Sequence, residues 1–361
     1  MAWNQAFDTS GIRKRGKNCV FEVRYHDSVN VLQEMFAARG AAWEPTGPFD
    51  RPEWYAGLAE TGLRPLVVTA QNDASKAALV LTQEAGRLSS LTNWYSFTWR
   101  PLVSAEATYE AALEATACDL RGKGHRVTLA PVPNEDGSAT RLAKIFAAAG
   151  WRVEVSQCDT NHVLKVQGRS FSDYWASRPG PLRTTLTRKG NKVAIDIIER
   201  FDEQAWRDYE SVYEASWKPA EGEPAMLREF AQAEGKAGRL RLGIARHEAK
   251  AIAAQFWTVE NATAYIHKLA HRDERANLSA GTVLTAALFK RVIDQDGVDI
   301  IDFGTGNEPY KRDWMEAFRP RFQIDCLDMK QPQAWIDLAR LAMRRSREPH
   351  VPALARLPLD S

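Results

Sequence analysis

The sequence predicts an α+β protein in two halves, because strand-like and helical segments follow one another in a similar order twice along the chain. The clearest signal lies in the second half, where three strand-like segments joined by short polar turns predict an antiparallel meander. A helix that begins with small residues and a further strand follow the meander. A chain of 361 residues has room for two domains, each with its own core. We place them at 1–167 and 168–330, followed by a C-terminal helix and a loosely ordered tail over 331–361.

The first half opens with alternating apolar residues over 20–25, which predict a strand, and apolar residues at helical spacing over 28–39, which predict a helix. The later elements are a short helix from 52, a hairpin of strands at 63–71 and 75–83, a helix at 109–123, a strand at 125–130, a helix at 139–149, and strands at 151–155 and 162–165. Gly150 is a natural C-cap for the last of these helices.

The second half has the same kinds of element. The predicted elements are helices at 171–177, 203–217 and 225–234, a strand at 193–199, meander strands at 240–246, 251–259 and 263–269, a helix from 278 to about 294, and a strand at 298–303. A basic helical segment between the first helix and the first strand carries Arg183, Arg188, Lys189 and Lys192.

Composition narrows the class of protein. The net charge of +2 gives no general electrostatic case for nucleic acid. The four cysteines are far apart, without a CxxC pair, which argues against a zinc site or a disulfide framework and predicts no metal. The N-terminus lacks the apolar core of a signal peptide, and no apolar run approaches the ~18 residues of a membrane span. We expect a cytoplasmic protein, at most peripheral at the inner membrane surface.

Two segments of the second half contain residues suited to ligand binding or catalysis. The first is Asn277–Thr282, between a predicted strand and a predicted helix. Its small residues Ser279, Ala280, Gly281 and Thr282 let the backbone approach a ligand, and the free N–H groups of a helix start favour an anion such as a pyrophosphate. The alternative is purely structural: Ser279 is an N-cap and Gly281 a turn residue.

The second segment is Asp302–Lys311, which follows the apolar strand 298–301. It places a carboxylate at the end of a strand, then a Gly-rich loop, then the phenol of Tyr310 and the amine of Lys311. The alternative is that Asp302 caps the loop, Tyr310 packs and Lys311 is solvated.

These segments together resemble a known family. A strand, a Ser-x-Gly helix start and the pattern Asp-Phe-Gly-x-Gly-x-x-x-Tyr-Lys-x-x-Trp, here Asp302–Trp314, are similar to the BioF2-like (CelD- and FemAB-related) branch of the GNAT acyltransferases. Ser216-Trp217-Lys218 at a helix end and 91–96 in the first half also fit. The family commonly has Ser-Pro-Gly where this chain has Ser279-Ala280-Gly281.

The resemblance implies two tandem GNAT-like domains with a cleft between them, a thioester donor such as acyl-CoA or an acyl carrier protein, and no permanently bound cofactor. The acceptor would be a small-molecule or lipid amine, or a hydroxyl. Physically, the amine must be neutral to attack the thioester carbonyl, so a base accepts its proton.

Roles for individual residues follow as hypotheses. His267 is the base candidate, as the histidine we place in the meander and because its ordinary pKa of about 6.5 suits the task; a packed strand residue is the alternative. Asp302 is the second base candidate or orients the amine, and Tyr310 protonates the leaving thiolate. We expect the Ser279–Thr282 turn and Lys311 to bind the donor. We expect the substrate to contact Trp94, Trp217, Lys218 and Lys268.

Three enzymatic functions stay open, and a non-catalytic binding module is the remaining alternative. The first is N-acyl transfer to an amine on a lipid or sugar; since bacterial ceramide synthases resemble this family, a sphingoid base is a candidate acceptor. The second is O-acetyl transfer to an exopolysaccharide such as cellulose. The third is a Fem-like aminoacyl-tRNA-dependent transfer. The predicted helix around Trp335 and Ile336, with arginines after it, packs on the body or rests on a membrane surface.

Overall fold

The computed structural model describes residues 12–16, 19–37, 45–104, 109–306 and 308–347. Contacts group the chain into two units. The first consists of Met1–Asp159 together with Pro320–Ser361, and the second is Thr160–Arg319. The C-terminal part of the chain therefore groups with the first unit from Pro320 onward, whereas the sequence analysis drew this boundary at 330.

The elements are as follows in chain order. The first part of the chain contains β1 Ile12–Gly16, β2 Cys19–His26, α1 Asn30–Ala37, α2 Pro52–Glu60, β3 Pro65–Gln71, β4 Lys76–Glu84, β5 Arg87–Ser90, β6 Leu102–Val103, α3 Tyr109–Leu120, β7 Arg126–Pro133, α4 Ser138–Ala148 and β8 Arg152–Lys165. The rest contains α5 Phe171–Ala176, α6 Gly180–Lys189, β9 Ala194–Ile198, α7 Glu203–Glu214, α8 Pro224–Lys236, β10 Leu240–His247, β11 Lys250–Glu260, β12 Thr263–His271, α9 Ala280–Asp294, β13 Ile300–Thr305, α10 Lys311–Trp314, β14 Ala317–Leu327 and α11 Pro332–Arg347.

The sheet of the first unit runs in the order β1-β2-β3-β4-β5-β7-β14, and β6 pairs with β4. Its pairs are antiparallel except β5 with β7. Buried indoles stabilise this unit through backbone hydrogen bonds: Trp99 Nε1 donates to Val80 O at 3.0 Å, and Trp151 Nε1 donates to Ala117 O at 2.8 Å.

The sheet of the second unit runs β8-β13-β12-β11-β10-β9. Strands β9 to β12 are antiparallel neighbours, which is the predicted meander with one more strand at its edge. Strands β12 and β13 run parallel and pair through only three residue pairs, from Thr263↔Ile300 to Tyr265↔Asp302. Beyond Tyr265 the two strands separate, although β12 continues to His271.

The core of the second unit lies between this sheet and α9. Gly243 of β10 lets the helix approach closely, since a Cβ built there would lie 2.9 Å from Cδ1 of both Leu284 and Leu288. On the same helix, Phe289 meets Trp257 of β11 edge-on, with ring centroids 5.6 Å apart. The apolar face of α9 thus fixes where its N-terminus lies relative to β12.

Several sequence predictions differ from the observed elements. β8 is one strand, although two were predicted, and β14 was not predicted. α7 ends at Glu214, so Trp217 and Lys218 lie in the following loop and not at a helix end. The meander strands β10 and β12 also contain His247 and His271, so the view of His267 as the meander's one histidine was wrong. The predicted loose tail from 349 lies outside the described residues.

Candidate active site

A pocket of about 400 Å³ lies in the second unit where β12 and β13 separate. Its wall combines the end of β12, the start of α9, the end of β13 with α10, and single residues of α6, β11 and the loop after α7. These residues are Leu182, Trp217, Gln255, Leu269, Ala270, His271, Ser279, Ala280, Gly281, Thr282, Thr285, Phe303, Tyr310, Asp313 and Trp314. We call this the donor pocket, after the thioester donor that we expect at the Ser279–Thr282 turn.

The start of α9 presents backbone N–H groups at the donor pocket. Ser279 adopts a left-handed conformation with φ of 50° and makes no side-chain capping bond. The first helical hydrogen bond runs from Val283 N to Ser279 O, so the N–H groups of residues 280–282 precede the helical ladder. Gln255 Nε2 donates to Gly281 O at 3.2 Å and holds this turn in place. Such a turn favours an anion through its N–H groups and the helix dipole.

A lysine stands beside the same turn. Lys189, in the last turn of α6, donates from Nζ to Ser279 Oγ at 2.9 Å. Sequence reasoning singled out the basic segment 183–192 but did not connect it to the Ser279 turn, because the two residues are 90 positions apart. The Ser279 hydroxyl therefore accepts a hydrogen bond from the Lys189 ammonium at the start of α9 and does not cap the helix.

The other end of the donor pocket is aromatic and carries one phenol. Tyr310 is 40% exposed, and its ring meets Phe303 edge-on with centroids 5.7 Å apart. Burial, and next to it the Glu308 carboxylate, raises the pKa of Tyr310 above its ordinary value. The phenol therefore keeps its proton at neutral pH and can act as a hydrogen-bond donor.

Asp302 and Lys311 hold the loop between β13 and α10. Asp302 is 5% exposed; its Oδ1 accepts from Gly304 N and its Oδ2 from Asn161 Nδ2, both at 2.8 Å. Lys311 is 4% exposed, and its ammonium donates to Thr305 O and pairs with Glu308 at 2.9 Å. In this structure both side chains bind the protein's own loop and do not line the donor pocket.

His271 is the histidine on the wall of the donor pocket. Its ring lies 4.4 Å from that of Trp217, centroid to centroid, and 3.4 Å separates its Nδ1 from a Cβ built on Gly281. Burial lowers the pKa of His271, partly opposed by Asp273. Sequence reasoning missed it because it ended the last meander strand two residues early.

His267 has a different environment. Its Nε2 lies 2.8 Å from Thr258 Oγ1, and its ring stacks on Phe256 at 5.1 Å and meets Phe230 of α8 edge-on at 5.2 Å. The β11–β12 register shifts here, and Lys268 pairs with Phe256 while Ile266 pairs with Trp257. His267 is therefore the extra residue of a bulge on the α7–α8 side of the sheet.

Lys218 lines a second pocket, of about 340 Å³, formed by α7, α8 and the loop between them (residues 215–223, the α7–α8 loop), and Lys268 contacts Glu221 of its wall. Lys268 is 5% exposed, and its Nζ binds Glu221 Oε1 at 2.9 Å. Burial lowers the pKa of Lys268 to about 8, although Glu221 opposes this shift. We call this second pocket the acceptor pocket, after the substrate that we expect at Lys218 and Lys268. Trp217 lines the donor pocket, and the next residue, Lys218, lines the acceptor pocket.

Trp94, the remaining predicted substrate residue, belongs to the first unit. It lies between β5 and β6 with 60% of its side chain exposed, and its ring contacts Tyr95 at 4.4 Å. Its predicted role stays a prediction. Among the described residues, no group of three or more His, Cys, Asp or Glu side chains is arranged to hold a metal ion. No helix in the described ranges is both long and apolar enough to cross a membrane.

Residues 180–312 match the family described as the acetyltransferase (GNAT) domain. This stretch contains the meander, α9, β13 and most of the donor pocket. This stretch is similar to the GNAT acetyltransferase domain. The protein is an acyltransferase, as predicted, and the predicted fold class of two GNAT-like units is confirmed.

Several solved structures share the fold of this chain over most of its length. FemX matches with a TM-score of 0.59 at 9% identity over 87% of this chain and 99% of its own. The C-terminal domain (DUF2156) of a putative lysylphosphatidylglycerol synthetase from Agrobacterium fabrum matches with a TM-score of 0.54 at 13% identity, over 80% and 91%. L-PGS from Bacillus licheniformis gives 0.52 at 13%, over 84% and 100%. A search of curated proteins gives no significant match.

Proposed function

We propose that this protein forms amides by moving an acyl group from a phosphopantetheine thioester to a primary amine. The observation that carries this proposal is the donor pocket, which joins a helix N-terminus with an adjacent lysine at one end to an aromatic wall with a phenol at the other. Such a pocket suits a long donor with phosphate at one end and a reactive carbonyl at the other.

The donor lies in the proposed complex along the end of β12. Its phosphates accept hydrogen bonds from the N–H groups of residues 280–282 and from Lys189, and the backbone of β12 beyond Tyr265 offers hydrogen bonds to the amides of the pantetheine arm. Both acyl-CoA and an acyl carrier protein present this arm. Acyl-CoA, with its additional phosphates, is the donor that we favour.

The reaction forms one C–N bond and breaks one C–S bond. The neutral amine attacks the thioester carbonyl, its surplus proton passes to a base, and the leaving thiolate takes a proton to become a free thiol. Tyr310 donates that proton or its hydrogen bond. We propose Lys268 as the base, since it lies on the β12 bulge beside the acceptor pocket with a pKa near 8. His267 stays the alternative base, and Asp302 positions the loop before Tyr310.

The amine occupies the acceptor pocket in this proposal. Three aromatic residues, Trp206, Tyr209 and Tyr213, line it together with Leu227, which supports an acceptor with an apolar portion over a polysaccharide hydroxyl. Within the GNAT fold, the Asp302–Trp314 pattern supports the BioF2-like branch. A sphingoid base is one amine of this kind.

A lipid acceptor would be bound at a membrane surface, and α11 has a face suited to contact one. α11 exposes Trp335, Ile336 and Met343 to between 55% and 60%, and these residues share one side of the helix with Ala339. In the sequence of this helix, Arg340, Arg344, Arg345 and Arg347 add positive charge of the kind that anionic lipids attract. We therefore propose peripheral contact through this helix.

The experiment that tests the function supplies donor and acceptor together. Purified protein is incubated with acetyl-CoA or palmitoyl-CoA and with amines of different class, such as sphinganine, glucosamine and L-phenylalanine. Free thiol and amide are quantified by a thiol reagent and by mass spectrometry. We expect one thiol per amide for at least one pair and a strong loss in Tyr310→Phe. Thiol release without amide, or no reaction except with an aminoacyl-tRNA donor, overturns the proposal.

A further inference from the structure

The acceptor pocket contains an ammonium group without a matching carboxylate. Lys218 lines this pocket, and its Nζ lies 5.8 Å from the ring centroid of Trp217 and 6.0 Å from that of Tyr213. It forms no ion pair with any residue that the structure describes, and its contacts there are with aromatic faces. An ammonium in an apolar wall is costly unless an anion compensates it.

The neighbouring charges do not supply that anion. Glu221 is the least exposed of the three carboxylates that line the pocket, and its Oε1 already binds Lys268 Nζ at 2.9 Å. The Lys268 ammonium also lies 5.3 Å from the Tyr213 ring, so two lysines share one aromatic ring and one glutamate. Lys218, Lys268 and Glu221 together carry a net charge of +1. Glu308 and Lys311 nearby pair with each other at 2.9 Å and leave this sum unchanged.

The mouth of the pocket has the opposite charge. Glu214 is exposed at the end of α7, and Glu210 one turn earlier accepts from Trp206 Nε1 at 2.9 Å and lies 3.9 Å from Arg228. These carboxylates attract a cation to the entrance. A ligand that satisfies both regions carries a positive and a negative charge and has an apolar remainder for the rings of Trp206 and Tyr209.

We propose that the acceptor is a zwitterionic amine, with an anionic group on a carbon next to or near the amine, and that Lys218 binds this anionic group. This inference rests on the proposed acyl transfer and narrows its acceptor. The amine then lies beside Glu221 and Lys268, where its proton leaves, and the apolar remainder lies against the aromatic wall. A carboxylate and a phosphate share the chemistry that Lys218 recognises.

Pairs of acceptor amines that differ in their anionic group distinguish a carboxylate from a phosphate. They also test whether either anion is needed. L-phenylalanine is compared with phenethylamine, which lacks its carboxylate, and O-phosphoethanolamine with ethanolamine, which lacks its phosphate. We expect the anionic member of at least one pair to have the higher kcat/KM by about 10-fold or more, the usual scale of a charge-assisted hydrogen bond. The pair that shows the preference identifies the anion.

The Lys218→Met variant tests the assigned contact. We expect it to raise KM for the anionic amine about 10-fold with kcat nearly unchanged, and to leave KM for the neutral partner as it was. Lys236→Met, which removes an equal charge from the exposed end of α8, is the matched control and is expected to change neither value. Equal use of both members of each pair, or an unchanged KM in Lys218→Met, overturns the inference.

A binding measurement keeps this test independent of turnover. Hydrocinnamate is the anion of L-phenylalanine without its amine, and its binding is measured by calorimetric titration. We expect binding by the wild-type protein and its loss in Lys218→Met, and binding by neither protein contradicts the inference. If amides form only with amines that lack an anionic group, the zwitterionic acceptor is refuted and the proposed acyl transfer still holds.

Discussion

Lys189 Nζ lies 2.9 Å from Ser279 Oγ and so brings a side-chain cation to the N-terminus of α9. The residues come from different helices, and their contact joins two features that each favour an anion. Ser279 adopts φ of 50° at this point and makes no capping bond of its own. In the proposed complex, this contact marks the phosphate end of the donor pocket.

Lys189→Gln is expected to weaken CoA binding about 10-fold, because a charge-assisted hydrogen bond to phosphate is worth roughly 1.5–3 kcal/mol. The loss should shrink in high salt. Calorimetric titration with CoA measures it. Arg188→Gln removes an equal charge from the same helix at an exposed position and serves as the control. Equal weakening by both variants would mean a diffuse charge effect and no contact at Ser279.

Gly281→Ala separates ligand binding from stability. In a helix this change stabilises by about 0.5–1 kcal/mol, so we expect a slightly higher Tm. The new methyl group lies at the donor pocket, 3.4 Å from His271 Nδ1, and is expected to hinder a phosphate at the adjacent N–H groups. KM for the acyl donor should therefore rise while the fold gains stability. An unchanged donor KM would contradict the placement of the phosphates at this turn.

The pH dependence of kcat distinguishes the base candidates. Lys268 must lose its proton to act as a base, so activity should rise with pH through about 8, the value to which burial lowers its pKa. Lys268→Met is expected to remove this limb of the profile, and His267→Gln to retain it. A limb that disappears in His267→Gln and persists in Lys268→Met would instead identify the histidine.

Gly243→Ala tests the packing that places α9. The added methyl group would lie 2.9 Å from Cδ1 of Leu284 and Leu288, both fully buried. Overpacking of this kind costs about 1–3 kcal/mol, so the free energy of unfolding should fall by that amount in denaturant titration. Gly180→Ala, where a Cβ meets nothing within 4 Å, is expected to be within about 0.5 kcal/mol of wild type. Similar values for the two variants would refute the close approach of helix and strand.

Vesicle binding tests the exposed face of α11. Replacement of Trp335 and Ile336 by serine removes the two largest apolar side chains from that face, both more than half exposed. We expect the wild-type protein to sediment with vesicles that contain anionic lipid and the variant to stay in the supernatant. Sedimentation of both proteins alike would show that α11 is not the contact.

The sequence was most informative where signals are local. The small residues 279–282 after a strand predicted an anion-binding helix start, and the structure has a helix from Ala280 with its first turn at the donor pocket. The meander was predicted for the same reason, since alternation and short turns are encoded within each hairpin. Its last strand continues two residues farther, and this extension brings His271 to the pocket.

Contacts between distant segments were not predictable. Lys268 and Glu221 are 47 positions apart and come together because α7 and α8 cover the face of the meander. Strand β14 was missed because it contains charged residues that sequence patterns assign to the surface. In the fold Arg321 is 1% exposed and paired with Glu135, and Asp325 is 2% exposed and bonded to Arg126. These paired charges lie at buried positions of β14. A hydrophobic pattern would have indicated a strand if apolar residues stood there.

Thermal unfolding in the presence of donor ligands shows whether the donor pocket binds a phosphopantetheine thioester. The protein and its Gly281→Ala variant are unfolded with and without CoA, acetyl-CoA and palmitoyl-CoA. A ligand at about 100 times its Kd adds about 2.7 kcal/mol to the folded state. We expect a clear rise in Tm for the wild-type protein and a smaller rise for the variant. No shift with any of the three, or equal shifts in both proteins, would contradict the proposed donor binding.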